Sequence, residues 1–87
     1  EEFALLLPGT DAAGARKVCE TLLADIASTP LTSPAGTEVR ITLSAGIASL
    51  NSGENQNQFF ERADKALYAA KHHGRNRAML SEATELL

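Results

Sequence analysis

Glu1 and Glu2 open the chain as adjacent carboxylates, and Lys71 and Arg75 stand near its other end as two cations four positions apart. Carboxylate oxygens are natural ligands for hard divalent ions, and a Lys–Arg pair is a natural partner for phosphate. Spacing alone limits both readings. Successive side chains of a strand point to opposite faces, so Glu1 and Glu2 cannot both serve one site from a regular strand, and exposed carboxylates are more often solvated than metal-bound. Lys71 and Arg75 converge on one anion only if helical geometry continues to Arg75; otherwise they read as surface charge. His72 and His73 share no helical face, so they make a poor metal pair and read as surface residues. Arg62, Asp64 and Lys65 form a mixed polar face, for which solvation is the default. Cys19 is the only cysteine. It cannot form an internal disulfide, and its place on an apolar helix stripe reads as a buried thiol in a reducing cytoplasm.

The elements that must carry these residues follow from apolar period and turn chemistry. Phe3 to Leu7 is a continuous apolar run ended by Pro8-Gly9-Thr10-Asp11, which predicts a strand buried on both faces. Asp11 then serves as N-cap of a helix of about four turns, with Ala12, Ala15, Val18, Cys19, Leu22, Leu23 and Ile26 inward. Proline and glycine between Ser28 and Thr37 predict a surface loop. From Glu38 the period becomes two, with Val39, Ile41, Leu43, Ala45 and Ile47 on the core face of one long strand. Gly46 within it marks a bulge or a close approach by a ligand or another backbone, and the bulge is the simpler reading. Asn55 and Gln58 form a capping-box variant, after which Phe59, Ala63, Ala66, Leu67 and Ala70 line a second helix running to about His73. Gly74 ends that helix in a left-handed conformation, and Lys71, His72 and His73 place positive groups at its negative end. Asn76 to Leu80 predicts a short final strand, and Ser81 to Leu87 a further helical turn. The order strand, helix, strand, helix, strand leaves too few strands to enclose the first, so an α+β sandwich is expected only with more sheet from elsewhere.

Bulk properties narrow the classes. Eighty-seven residues suffice for one small domain or a piece of one. With 22% charged and 44% apolar residues the composition is that of a globular protein, and no apolar run approaches the roughly 20 residues that span a bilayer. A formal charge of −3 with dispersed Lys and Arg excludes a basic stripe tracking DNA or RNA. No leader precedes Glu1-Glu2-Phe3, which enters a strand without a turn, so the chain is expected to begin inside a domain. A cytoplasmic setting is expected, any membrane anchor belonging to other parts of a parent protein.

Three segments change the weight of these signals. Glu1-Glu2-Phe3-Ala4-Leu5-Leu6-Leu7-Pro8 resembles the end of the Gly-Gly-(Asp/Glu)-Glu-Phe signature and the strand after it in the GGDEF domain family. Ile41-Thr42-Leu43-Ser44-Ala45-Gly46-Ile47-Ala48 resembles the Thr-x-Ser-x-Gly strand of that family, and Ala63-Asp64-Lys65-Ala66-Leu67-Tyr68-Ala69-Ala70-Lys71-His72-His73-Gly74-Arg75-Asn76-Arg77 resembles its C-terminal signature. The resemblance covers residues 1–80 as the C-terminal half of a GGDEF domain and leaves 81–87 as a tail.

It implies an α+β, palm-like fold of the ferredoxin-like or nucleotidyl cyclase kind, an antiparallel sheet flanked by helices, with only part of the domain present. It also implies a diguanylate cyclase: a homodimer of GTP-loaded domains condenses two GTP into cyclic di-GMP and two pyrophosphates, assisted by two Mg²⁺ or Mn²⁺ ions. Position by position, Glu1 matches the metal-binding signature residue and Glu2 the next acidic residue, also needed for activity. Lys71 and Arg75 match contacts to the GTP phosphates. Asp64 matches a signature Asp read as structural, and Gly46, Ala63, Leu67 and Tyr68 read as packing positions. The two preceding glycines, the upstream half of the domain and the Arg-x-x-Asp of product inhibition lie outside the chain, so these 87 residues alone are expected to be inactive. Where some members carry an Arg on the first helix that grips cyclic di-GMP, this chain reads Cys19-Glu20-Thr21-Leu22-Leu23. The alternatives are a non-catalytic GGDEF module that binds GTP or cyclic di-GMP and regulates an attached domain, and a structural half-domain with no activity of its own. Attached sensory or regulatory domains are implied in either GGDEF case.

Overall fold

The computed structural model describes residues 2–81. Two helices, α1 (Ala12–Ser28) and α2 (Gln56–His72), pack with four short strands, β1 (Leu31–Thr32), β2 (Glu38–Val39), β3 (Ala45–Ile47) and β4 (Ala78–Leu80). Both helix starts are fixed locally. Asp11 accepts from the Gly14 N–H at 2.8 Å, and Asn55 and Gln58 close a reciprocal capping box with hydrogen bonds of 2.8 and 3.0 Å. Each device satisfies amides that the first helical turn leaves without partners.

The core is small and lies where α1 and α2 meet the β3–β4 pair. Leu23 of α1, Ile47 of β3, Ala66 and Ala70 of α2 and Ala78 of β4 are buried, with Ala15, Cys19, Leu43, Ala45 and Leu80 packed around Leu23, Ile47 and Ala78. β3 and β4 are parallel, in the register Ala45↔Ala78, Gly46↔Met79, Ile47↔Leu80. The antiparallel arrangement expected from the resemblance is therefore not that of this pair: α2 connects the two strands as a crossover, which brings the chain back in the same direction. The α+β class itself stands.

Phe3 to Leu7 is not a buried strand: Phe3, Leu5 and Leu6 are exposed, and no strand among the described residues runs beside them to hydrogen-bond their backbone. The long strand from Glu38 is regular only at its ends, as β2 and β3; Leu43, Ala45 and Ile47 turn inward as expected, while Val39 and Ile41 are exposed. The stretch read as a surface loop contains a hairpin. β1 and β2 pair antiparallel, Leu31 with Val39 and Thr32 with Glu38, closed by the Ser33 N–H donating to the Thr37 carbonyl at 2.8 Å and Gly36 at a φ of 87°. Glu1 and residues 82–87 of the helical turn expected over Ser81 to Leu87 lie outside the described residues.

Candidate nucleotide site

The site is built at the C-terminal end of α2. The Arg75 N–H donates to the Ala70 carbonyl at 2.9 Å, the long bond of a Schellman closure, and Gly74 takes a φ of 115°. Helical geometry thus stops before Arg75, and the simple i, i+4 route to a shared anion with Lys71 does not operate. Lys71 and His72 occupy the last turn, where cations oppose the negative end of the helix dipole. The Nδ1–H groups of His72 and His73 donate to the carbonyls of Tyr68 and Ala69 at 2.9 and 2.7 Å, and the Ala69 carbonyl also accepts the His73 backbone N–H at 2.9 Å. Both imidazoles are exposed, as expected for surface residues.

Lys71 does not stand alone. Its Nζ lies 3.8 Å from Glu2 Oε2, and the two side chains share a recess of about 200 Å³ with Asp64, Leu67 and Tyr68. The structure thus brings Glu2 and Lys71 together from opposite ends of the chain. Arg75 is exposed on the adjoining corner. Tyr68, expected as a packing position, is 64% exposed; its ring stacks on His72 with centroids 3.8 Å apart.

Gly46 explains how α2 reaches this position. A Cβ there would lie 2.8 Å from Leu67 Cα and closer still to the Ala63 carbonyl oxygen and the Leu67 amide nitrogen. The pairing of β3 is continuous through residue 46, so there is no bulge. The glycine serves a close approach by another backbone, and Ala63 and Leu67 are packing positions in that sense.

Arg62 departs from its expected solvated face. Its guanidinium takes Glu54 through Nε to Oε2 at 2.6 Å and through Nη2 to Oε1 at 2.8 Å, and donates to Ser81 Oγ at 3.0 Å and to the Ser49 carbonyl. One side chain thus ties α2 to the segments leaving β3 and β4. The same fork holds the Glu54 carboxyl at about 2, with the Asn51 N–H adding to the effect.

Among the described residues no three of His, Cys, Asp and Glu gather as a metal ion requires. The described donor set, two carboxylates beside an ammonium group, does not by itself fit a pair of divalent ions.

The family model described as "Diguanylate cyclase, GGDEF domain" matches residues 1–77. The chain belongs to this family. Among curated GGDEF relatives, diguanylate cyclase DgcP of Pseudomonas aeruginosa is 46% identical over 77 residues, 88% of this chain and 11% of that protein. Diguanylate cyclase DgcM of Escherichia coli K12 is 38% identical over 79 residues, 91% of this chain and 18% of that protein. The chain therefore spans well under a quarter of the length of either. The crystal structure of the GGDEF domain of DgcB from Caulobacter crescentus in complex with c-di-GMP superposes with a TM-score of 0.83 at 33% identity, covering 87% of this chain and 44% of that one. No helix of the described residues is long and apolar enough to cross a membrane.

Proposed function

We propose that this chain contributes the acidic signature and the phosphate-binding end of a diguanylate cyclase active site. The observation that carries this reading is the meeting of Glu2 with Lys71 in one recess at the end of α2, which joins the two segments resembling functional signatures. Lys71 offers a compact ammonium group to the GTP phosphates, and Arg75 a planar fork. When GTP is bound, Lys71 exchanges its weak contact with Glu2 for the phosphate. Glu2 is then released to handle a proton or hydrogen bond at the reacting ribose hydroxyl.

Divalent Mg²⁺ or Mn²⁺ would be held by Glu1 together with oxygen ligands from beyond these residues, and would supply charge neutralisation at the phosphates. Two GTP-loaded domains meet as a homodimer, each ribose 3′-hydroxyl attacking the α-phosphate of the opposite nucleotide with loss of pyrophosphate. On this reading the reaction also needs groups that these 87 residues do not supply. A cytoplasmic setting, with GTP at hand and attached domains supplying the signal, completes the proposal.

The test is product formation by the parent protein supplied with GTP and Mg²⁺, beside its Glu1→Ala and Lys71→Ala variants. Cyclic di-GMP formed by the parent and lost in Glu1→Ala supports catalysis and the metal role of Glu1. GTP or cyclic di-GMP binding with no product at any protein concentration assigns the protein to the regulatory, non-catalytic class.

A further inference from the structure

Gly74, Arg75 and Asn76 take φ values of 115°, 62° and 48°. Glycine enters this region freely and Asn tolerates it, but Arg has no local compensation for it. Such a conformation persists only where its surroundings impose it. At this corner the imposition is specific. The peptide unit joining Arg75 to Asn76 is held at both of its polar ends by side chains: the Asn76 N–H donates to Ser44 Oγ at 3.1 Å, and Arg77 Nε donates to the Arg75 carbonyl at 3.2 Å. The next strand begins from the same place, the Ala45 N–H donating to the Arg77 carbonyl at 2.9 Å. The Arg75 and Asn76 amides are thus both engaged within the protein, so what Arg75 presents to an anion is its side chain rather than a nest of backbone N–H groups.

We propose that Ser44 and Arg77 are positioning residues that fix the Arg75–Asn76 peptide plane and so aim the Arg75 guanidinium at the nucleotide phosphates. This rests on the phosphate-binding role proposed for Arg75. Ser44 acts from the segment entering β3, its Oγ accepting from the Asn76 N–H and so holding the peptide that follows Arg75. Its hydroxyl therefore serves the orientation of the site, and a Thr at 44 can supply the same oxygen.

The experiment is a double-mutant cycle in the parent protein with Mg²⁺, read both as GTP affinity and as turnover, on Ser44→Ala, Arg75→Ala and the double variant, with Ser44→Thr as rescue. Loss of one hydrogen bond that orients a charged contact weakens GTP binding roughly fivefold in Ser44→Ala. KM rises, kcat changes less, Ser44→Thr restores binding, and in the Arg75→Ala background Ser44→Ala has no further effect. An equal penalty in both backgrounds, or no penalty in Ser44→Ala, overturns the proposal. Reading affinity separately keeps the two proposals apart: a parent that binds GTP without making product fails as a cyclase while the cycle still decides the coupling, and an Arg75→Ala variant that binds GTP normally overturns the aim assigned to Ser44 while leaving Lys71 as the phosphate contact.

Discussion

Lys71 Nζ stands 3.8 Å from Glu2 Oε2, with the two side chains 39% and 64% exposed. A pair so open to water contributes about 0–1 kcal/mol, so it places the ammonium group without committing it. Lys71→Ala should change the unfolding free energy of the parent protein by less than about 1 kcal/mol. The same substitution should weaken GTP binding by roughly 10- to 100-fold, since a charge-assisted contact is lost. Urea unfolding and GTP titration of the same variant check the two halves; a large stability loss with unchanged GTP affinity would make Lys71 a structural residue.

Gly46→Ala tests the contact that seats α2 on β3. The added Cβ meets backbone atoms of Ala63 and Leu67, which cannot rotate away as a side chain can, so helix and strand must separate. A loss of about 1–3 kcal/mol is expected, as for overpacking generally. Gly36→Ala is the control: it has positive φ but open space around the new methyl, so its cost is conformational alone. Denaturant midpoints that fall equally for both variants would remove packing as the reason for Gly46.

The helices were legible because their signals are local. Asp11 and the Asn55–Gln58 box announce their own starts, Gly74 announces a stop, and period 3.6 fills the intervals. The strands were less so, because pairing is settled by partners far away in sequence. Phe3 to Leu7 has the composition of a central strand, yet composition cannot supply the neighbour that its backbone needs. The β1–β2 hairpin escaped because two-residue strands carry no period. At the site, residue types pointed to Glu2, Lys71 and Arg75, but not to the meeting of the first two. Arg62 looked solvated because its partners Glu54, Ser49 and Ser81 stand at separations that no helical or strand repeat connects. Only the family resemblance gave weight to Ser44, and it did not say what the hydroxyl holds.

Cys19 should be a slow thiol. Burial against the core raises its pKa, and the neighbouring Glu20 carboxylate adds to the rise, which leaves less thiolate at neutral pH. Disulfide-exchange labelling of the native parent at pH 7 should proceed more slowly at Cys19 than after unfolding, and Glu20→Gln should speed the native reaction slightly. Labelling as fast as in the unfolded chain would place the thiol outside the core.

The Glu54–Arg62 fork should give the domain a defined acid limit. Side-chain exposures of 8% and 14% and two-point contact make it the best-sheltered ion pair of the described residues. Glu54 has a folded pKa of about 2 against an ordinary 4.5. A depressed carboxyl binds its proton more readily in the unfolded chain, so its contribution is complete above the unfolded value and falls away as pH drops from about 4.5 toward 2. Stability of the native parent should therefore decline through that window more steeply than that of Glu54→Gln, the two curves converging at its lower end. Arg62→Lys should not restore the native curve, because an ammonium group cannot reproduce the planar fork that serves Glu54, Ser81 and the Ser49 carbonyl together. Parallel acid unfolding curves for the native protein and Glu54→Gln would show that the carboxylate is not what the fork stabilises.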